Sequence, residues 1–317
     1  MKKLQKFEFP DELVPVFKKA RRLEWITIAY LISTAVLVYL TMGNSQAMKT
    51  AWFEDLISLT PSISFLVASR FITKEPNSQF PYGYHRVVSI AYLCSAVALF
   101  AVGCFLIFDS AMTLIKTEHA TVGTVVLFGH QVWLGYLMIA AMVWGTIPAI
   151  ILGRKKLPLA KKLHDKNLFT DAKMNKADWM TAAAAIFGIL GIGLGWWWAD
   201  AAAALVISVD ILHDGFTNLK QAVFDLMDEV PKTVSKQKRD PLIDKVKESL
   251  SEKSWVKAVS IRLREEGHVY TGEGFVVPVS EQNLVQHIES AIEDVKKLDW
   301  RMQDFNIVPV KELKEED

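Results

Sequence analysis

Six stretches of this chain are long and apolar enough to cross a bilayer, and charged loops separate most of them. A spanning helix needs about 20 mostly apolar residues. The stretches run from about Trp25 to Met42, Ala51 to Phe71, Val87 to Ile115, Val125 to Leu152, Trp179 to Leu194 and Trp196 to Phe216. The fifth is short. It lengthens if the polar run Asp171–Asp178 is also helical and shielded by its neighbours, which would mark a site inside the bundle. The competing reading is a soluble helical protein whose six helices form a buried core.

Charge in the loops gives an orientation. Lys18, Lys19, Arg21, Arg22, Arg70, Lys74, Arg86, Arg154, Lys155, Lys156, Lys161, Lys162 and Lys166 fall on one side, and only Lys49 and Lys116 lie near the helix ends on the other. The positive-inside rule then places both termini in the cytoplasm. The net charge of +1 gives no reason to expect a nucleic-acid partner. Cys94 and Cys104 are ten residues apart on one helix, too far for a disulfide, and read as packing residues. Residues 1–24 are charged and lack an apolar core followed by a small-residue cleavage site, so no cleavable signal peptide is expected.

Beyond Asp228 the pattern changes, with Val230-Pro231 ending the sixth helix. Helical spacing is expected over Asp240–Lys253, and strand alternation over Val256–Leu263. Gly267 marks a turn, and His268–Val279 reads as a second strand with a bulge or bend at Gly272 and Gly274. A helix over Ser280–Lys297, N-capped by Ser280, and a strand over Trp300–Val310 follow. The expected organisation is a cytoplasmic N-terminal segment (1–24), a six-helix transmembrane domain (25–228) and a small cytoplasmic α+β domain (229–317). A three-stranded sheet with two helices buries little area alone, so pairing with a second copy is expected.

Ionisable residues inside membrane spans are costly and are functional candidates by default. Glu54 and Ser58 on the second helix are four apart and share a face, with Asp55 beside them. Asp171, Met174, Asn175 and Asp178 on the fifth form one polar stripe at i, i+3, i+4 and i+7. Asp200 marks the outer end of the sixth, and Asp210, His213 and Asp214 form a further stripe. Carboxylates, an amide, a hydroxyl and a thioether can wrap a dehydrated cation. Oxygen donors suit Mn²⁺, Fe²⁺ or Mg²⁺, and the thioether is softer. The bland readings stand beside this one: Asp171 as an N-cap, Glu54 or Asp55 facing outer solvent, Met174 as core filler.

Taken together, these residues resemble the cation diffusion facilitator family over nearly the whole chain. Ser45-Gln46-Ala47 followed by Glu54 and Ser58 is similar to the family's motif on its second helix. Pro81-Tyr82-Gly83-Tyr84-His85-Arg86, after Arg70 and Pro76, resembles its loop between helices two and three. Asp171–Asp178 resembles its fifth-helix motif, with ligand positions at Met174 and Asp178. Trp198–Ala203 and Phe224–Pro231 resemble the start and exit of helix six. The resemblance implies a cation-efflux fold. It implies a homodimer, joined through the cytoplasmic domain and the membrane helices, that exports divalent metal in exchange for protons by alternating access. It also implies a charge contact between Arg86 and Asp228. The family's four His/Asp ligand positions are here Glu54, Ser58, Met174 and Asp178, without a histidine. Asn77, Phe80 and Tyr84 stand where some members bind a second metal, and the cytoplasmic domain has only His268 and His287.

The expectation is therefore a secondary transporter, not an enzyme, whose substrate is a divalent metal ion such as Mn, Fe, Co, Zn or Cd. It would sit in the lipid bilayer of a bacterial-type inner membrane. Glu54 and Asp178 would hold the ion, assisted by Asp171, Asn175, Met174, Asp55 and Ser58. Paired acids in a low-dielectric site favour their protonated forms, so metal would displace protons. The alternatives are a non-transporting scaffold or partner subunit of the same fold with a decayed site, and a transporter of another cation.

Overall fold

A computed structural model describes residues 8–117, 121–235 and 238–313, without the side chains of residues 127 and 176–178. Six long helices come first: α1 (Val14–Thr41), α2 (Gln46–Phe71), α3 (Arg86–Ile115), α4 (Leu134–Leu163), α5 (Lys166–Gly193) and α6 (Ala199–Leu226). Of these, α1, α3 and α4 are by length and composition apolar enough to cross a membrane. Large apolar side chains such as Phe108, Tyr136 and Val206 lie on the outside of the bundle, while its interior holds many small and polar residues. This is the reverse of a water-soluble fold, and it suits a hydrocarbon surround.

Helix α1 begins at Val14 rather than Trp25, because Pro15 suits a first turn and the charged residues that follow can line one exposed face. Helix α5 takes in the whole polar run Asp171–Asp178, and α6 continues beyond Phe216 to Leu226. The largest difference lies before α4. Residues read as the start of the fourth span form an antiparallel hairpin, β1 (Thr124–Leu127) with β2 (His130–Trp133). Its turn places Phe128 and Gly129 at φ of 50° and 81°, as a two-residue hairpin demands. A short apolar run rich in β-branched residues does not distinguish strand from helix by periodicity, and the turn decides it.

Helices α3 and α6 lie in backbone contact. A Cβ on Gly103 would stand 2.7 Å from the Leu212 Cα, and one on Gly215 2.7 Å from the Phe100 backbone. Tyr92 donates to Asn218 across the same seam at 3.0 Å. Helix α4 packs along α5 and α1, and α2 is shared between these helices and the α3–α6 pair.

The C-terminal unit contains α7 (Leu242–Ser251), β3 (Val256–Glu266), β4 (Val269–Pro278), α8 (Leu284–Leu298) and β5 (Met302–Pro309). The sheet order is β3-β4-β5, with β3 antiparallel and β5 parallel to β4. The two helices enclose a core that includes Leu242, Val246, Tyr270, Val295 and Phe305. Helix α8 starts later than expected and has Asn283, at φ 53°, as its N-cap in place of Ser280. The register shifts fall at Val256/Ala258 and Tyr270/Thr271 rather than at Gly272 and Gly274. Gly272 serves close approach instead: a Cβ there would overlap the Arg262 carbonyl oxygen.

The α3–α6 seam yields a direct expectation. Gly103→Leu puts a side chain where a backbone already stands, and should destabilise the bundle by about 1–3 kcal/mol, the usual cost of overpacking. Thermal unfolding in detergent should show a lowered transition for Gly103→Leu and little change for Gly123→Ala, where the space is open.

Candidate functional site

The placement of α2 starts at its N-terminus. Ser45 caps the helix by accepting from the Met48 N–H at 3.2 Å. Asp200 of α6, fully buried, accepts from the Ser45 hydroxyl at 2.6 Å, the Gln46 N–H at 2.5 Å and the Ala47 N–H at 3.3 Å. A carboxylate at the positive end of a helix is favoured by the helix dipole and its free N–H groups. Asp200 thus ties α6 to α2. Further along, Pro61 removes one helical hydrogen bond inside α2, and Asn167 of α5 donates to the Pro61 carbonyl at 3.0 Å.

Between these two fixed points α2 presents Glu54, Asp55 and Ser58 to a cavity of about 30 Å³, room for about one water or a bare cation. Thr181 of α5 and Thr146 of α4 line the same space. Thr181 donates to Glu54 Oε1 at 3.1 Å. The Asp55 Oδ2 atom is buried with no hydrogen-bond partner among the described residues. Three of the residues singled out in the sequence therefore converge. Asp178 belongs to α5 one turn before Thr181, and its side chain lies outside the described residues. Asn175 is 2% exposed, and its Nδ2 has no partner among the described residues.

Two members of the polar stripe go elsewhere. Met174 packs with the apolar cluster of Ile57 and Leu99. Asp171 accepts from Lys156 Nζ at 2.5 Å, and Lys156 also lies 3.1 Å from Glu24 of α1. All three are buried. Lys156, counted with the loop cations from the sequence, is inside the bundle because α4 runs on to Leu163. Glu24 and Thr181 escaped the sequence reading. One adjoins a charged segment, and the other is a lone hydroxyl at the start of an apolar run.

At the other end of the bundle the C-terminal unit docks on the α4–α5 corner. His164 closes α4 at φ 49°, and Asp165 caps α5 by accepting from the Leu168 N–H at 2.7 Å. Buried His268 lies 3.1 Å from the Leu163 carbonyl and 3.3 Å from Asp165. Tyr270 links His164 to Asp240, 2.9 Å from each, and Arg301 donates to Asp240 at 2.7 Å. Lys166 pairs with Glu265 at 2.9 Å and with Asp225 at 3.1 Å. Arg86 donates to Asp228 at 2.7 Å, within a ring that includes Arg264 and Glu266. Arg86 and Asp228 are 36% and 41% exposed, so this pair contributes at most about 1 kcal/mol.

Burial pushes the Glu265 carboxyl up, but His164 and the Lys166 ammonium outweigh it and hold the group below its ordinary value of 4.5. Burial acts likewise on Asp240, which Arg301 and the Leu242 N–H hold below 3.8. Depressed carboxyls stabilise the folded state above their ordinary values and lose that contribution as pH falls through the lower folded values. Acidification below about pH 4.5 should therefore loosen the docked unit. Hydrogen exchange of β3 and β4 should rise in that window, and Lys166→Met should raise the pH at which it begins.

A family model described as the cation efflux transmembrane domain matches residues 25–227. The manganese efflux system protein MneS of Bacillus subtilis is 25% identical over 205 residues, 63% of this chain and 65% of that protein. Protein p34 of Rickettsia rickettsii is 26% identical over 72% of this chain and 70% of its own length. A cadmium, cobalt and zinc/H(+)-K(+) antiporter of Bacillus subtilis is 21% identical over 66% of this chain and 65% of its own length. The chain thus spans slightly under two thirds of the first and last of these relatives.

Proposed function

We infer the function from one premise: this chain belongs to the cation efflux family, the cation diffusion facilitators, whose members are membrane transporters. The protein exports a divalent metal cation across the plasma membrane in exchange for protons. All six long helices span the bilayer with both termini in the cytoplasm, where residues 229–317 form an α+β unit and residues 1–24, which include the first turns of α1, an N-terminal segment. Two copies pair through that unit and the membrane helices.

The observation that carries this reading is the convergence of Glu54, Asp55 and Ser58 on a small polar cavity that Thr181 of α5 closes. Glu54 and Asp178 are the principal ligands, with Ser58, Asp55 and Asn175 supplying further oxygen donors. Asp171 and Met174 stand outside this ligand set, since Lys156 and the apolar core engage them. Oxygen donors without histidine or thiolate favour a hard cation, and manganese suits the site best. Metal and protons compete for the same carboxylates, so metal entry releases protons and proton entry releases metal. Exchange follows when the site between half-bundles faces each side in turn.

The packing of Met174 among apolar side chains favours a second reading, a partner subunit that does not transport. One experiment separates the two. Proteoliposomes under a pH gradient should take up Mn²⁺, and Asp178→Ala should cut the rate at least tenfold, since loss of even an outer partner of a metal ligand costs about 10–100-fold. Absence of gradient-driven flux of Mn²⁺, Fe²⁺, Co²⁺, Zn²⁺ or Cd²⁺ by folded, dimeric protein would leave the partner-subunit reading.

A further inference from the structure

The Glu24–Lys156–Asp171 triad has no part in the metal site. Lys156 is fully buried, Glu24 likewise, and Asp171 is 3% exposed. The three come from α1, α4 and α5, and α2 closes the fourth side with Ser62, also fully buried. Among the described residues no other charged side chain lies within ion-pair distance of the three. Two carboxylates and one ammonium, all buried, leave a net charge of −1.

A net charge confined in a low-dielectric interior is costly, and a titratable cluster relieves that cost by binding a proton. The geometry indicates which carboxyl takes it. Asp171 makes the shorter contact with the ammonium, at 2.5 Å. Glu24 is held at 3.1 Å, its Oε2 accepting from Lys156, and its Oε1 makes no well-formed hydrogen bond among the described residues. The Ser62 hydroxyl faces the same carboxyl from α2.

We propose that Glu24, Lys156 and Asp171 form a proton-binding site separate from the metal site, with one exchangeable proton on Glu24. Protonation converts the Glu24 carboxylate and one H⁺ from water to the carboxylic acid, and the reverse step returns the proton to water. The triad becomes neutral with the proton bound and −1 without it. Asp171 stands seven residues before Asp178 on α5, about 10 Å along the helix axis. Loss of the Glu24 proton leaves Lys156 shared between two carboxylates and so changes the hold of α4 on α5, the helix that carries Asp178. Proton occupancy at the triad thereby biases the position of a metal ligand. This last step rests on the transport reading, but the proton site itself does not.

Infrared difference spectroscopy of the full chain in lipid tests the site without transport. At neutral pH the wild type should show a protonated-carboxyl C=O band that disappears in Glu24→Gln and in Asp171→Asn, where the triad is neutral without a proton. The band should persist in Asp55→Asn. Lys156→Met, which removes the cation, should add a second such band. A wild-type spectrum unchanged by Glu24→Gln and Asp171→Asn would overturn the proposal, even if one variant folds poorly, because each reports independently. Flux provides the second readout. If the wild type transports metal, Glu24→Gln should flatten the pH dependence of the rate while metal affinity stays within about twofold of wild type. A wild-type pH profile in Glu24→Gln would overturn the link to transport. No flux in the wild type, with the band changes present, would sink the transport reading and leave the proton site standing.

Discussion

A carboxylate buried among apolar helices has to be matched by a hydrogen-bond donor, a counter-charge, a proton or a metal ion. The bundle has such carboxylates at several levels, and their different partners divide its structural sites from the candidate metal site. Asp200 is matched by the first N–H groups of α2 and by Ser45. Asp171 and Glu24 share the single ammonium of Lys156. Glu54 has a hydroxyl from Thr181, and Asp55 has one oxygen without a partner among the described residues. Asp55 and Glu54 line the small cavity, where a cation could act as a further partner. The partners that fix Asp200 and Asp171 also hold the helices around that cavity in place.

The arrangement links the cavity to both ends of the bundle. Helix α2 is pinned at its start by Asp200 and at Pro61 by Asn167, so Glu54, Asp55 and Ser58 lie on a segment held at both ends. Helix α5 is capped by Asp165, which His268 of the C-terminal unit also approaches. Lys166, the first residue of α5, pairs with Glu265 of β3. A movement of the C-terminal unit is therefore mechanically tied to the helix that carries Asp178. The α3–α6 pair, in close contact at Gly103 and Gly215, stands as a separate seam beside this core.

Much of this was legible in the sequence because the signals were periodic. The long apolar runs located the helices, and the four-residue spacing of Glu54 and Ser58 identified a shared face that the structure turns to one cavity. Charge was harder to place than hydropathy. Lys156 lies among basic residues and reads as a loop cation until α4 is seen to continue through it, and only then does its pairing with two distant acids emerge. The β1–β2 hairpin was hidden for the opposite reason: its apolar residues continue those of α4, and the φ of Phe128 and Gly129 is what breaks the run. Long-range partners such as Thr181 for Glu54 carry no local signal, since a hydroxyl beside an apolar run is compatible with many neighbours.

The central claim is that a metal ion binds between α2 and α5 through Glu54 and its neighbours. Direct titration of the purified, lipid-embedded protein with Mn²⁺, followed by electron paramagnetic resonance, tests it without relying on a transport cycle. The account predicts saturable binding by the wild type that is lost in Glu54→Gln and Asp178→Asn and retained in Asp171→Asn. Binding unchanged by Glu54→Gln and Asp178→Asn, or abolished only by Asp171→Asn, would contradict it.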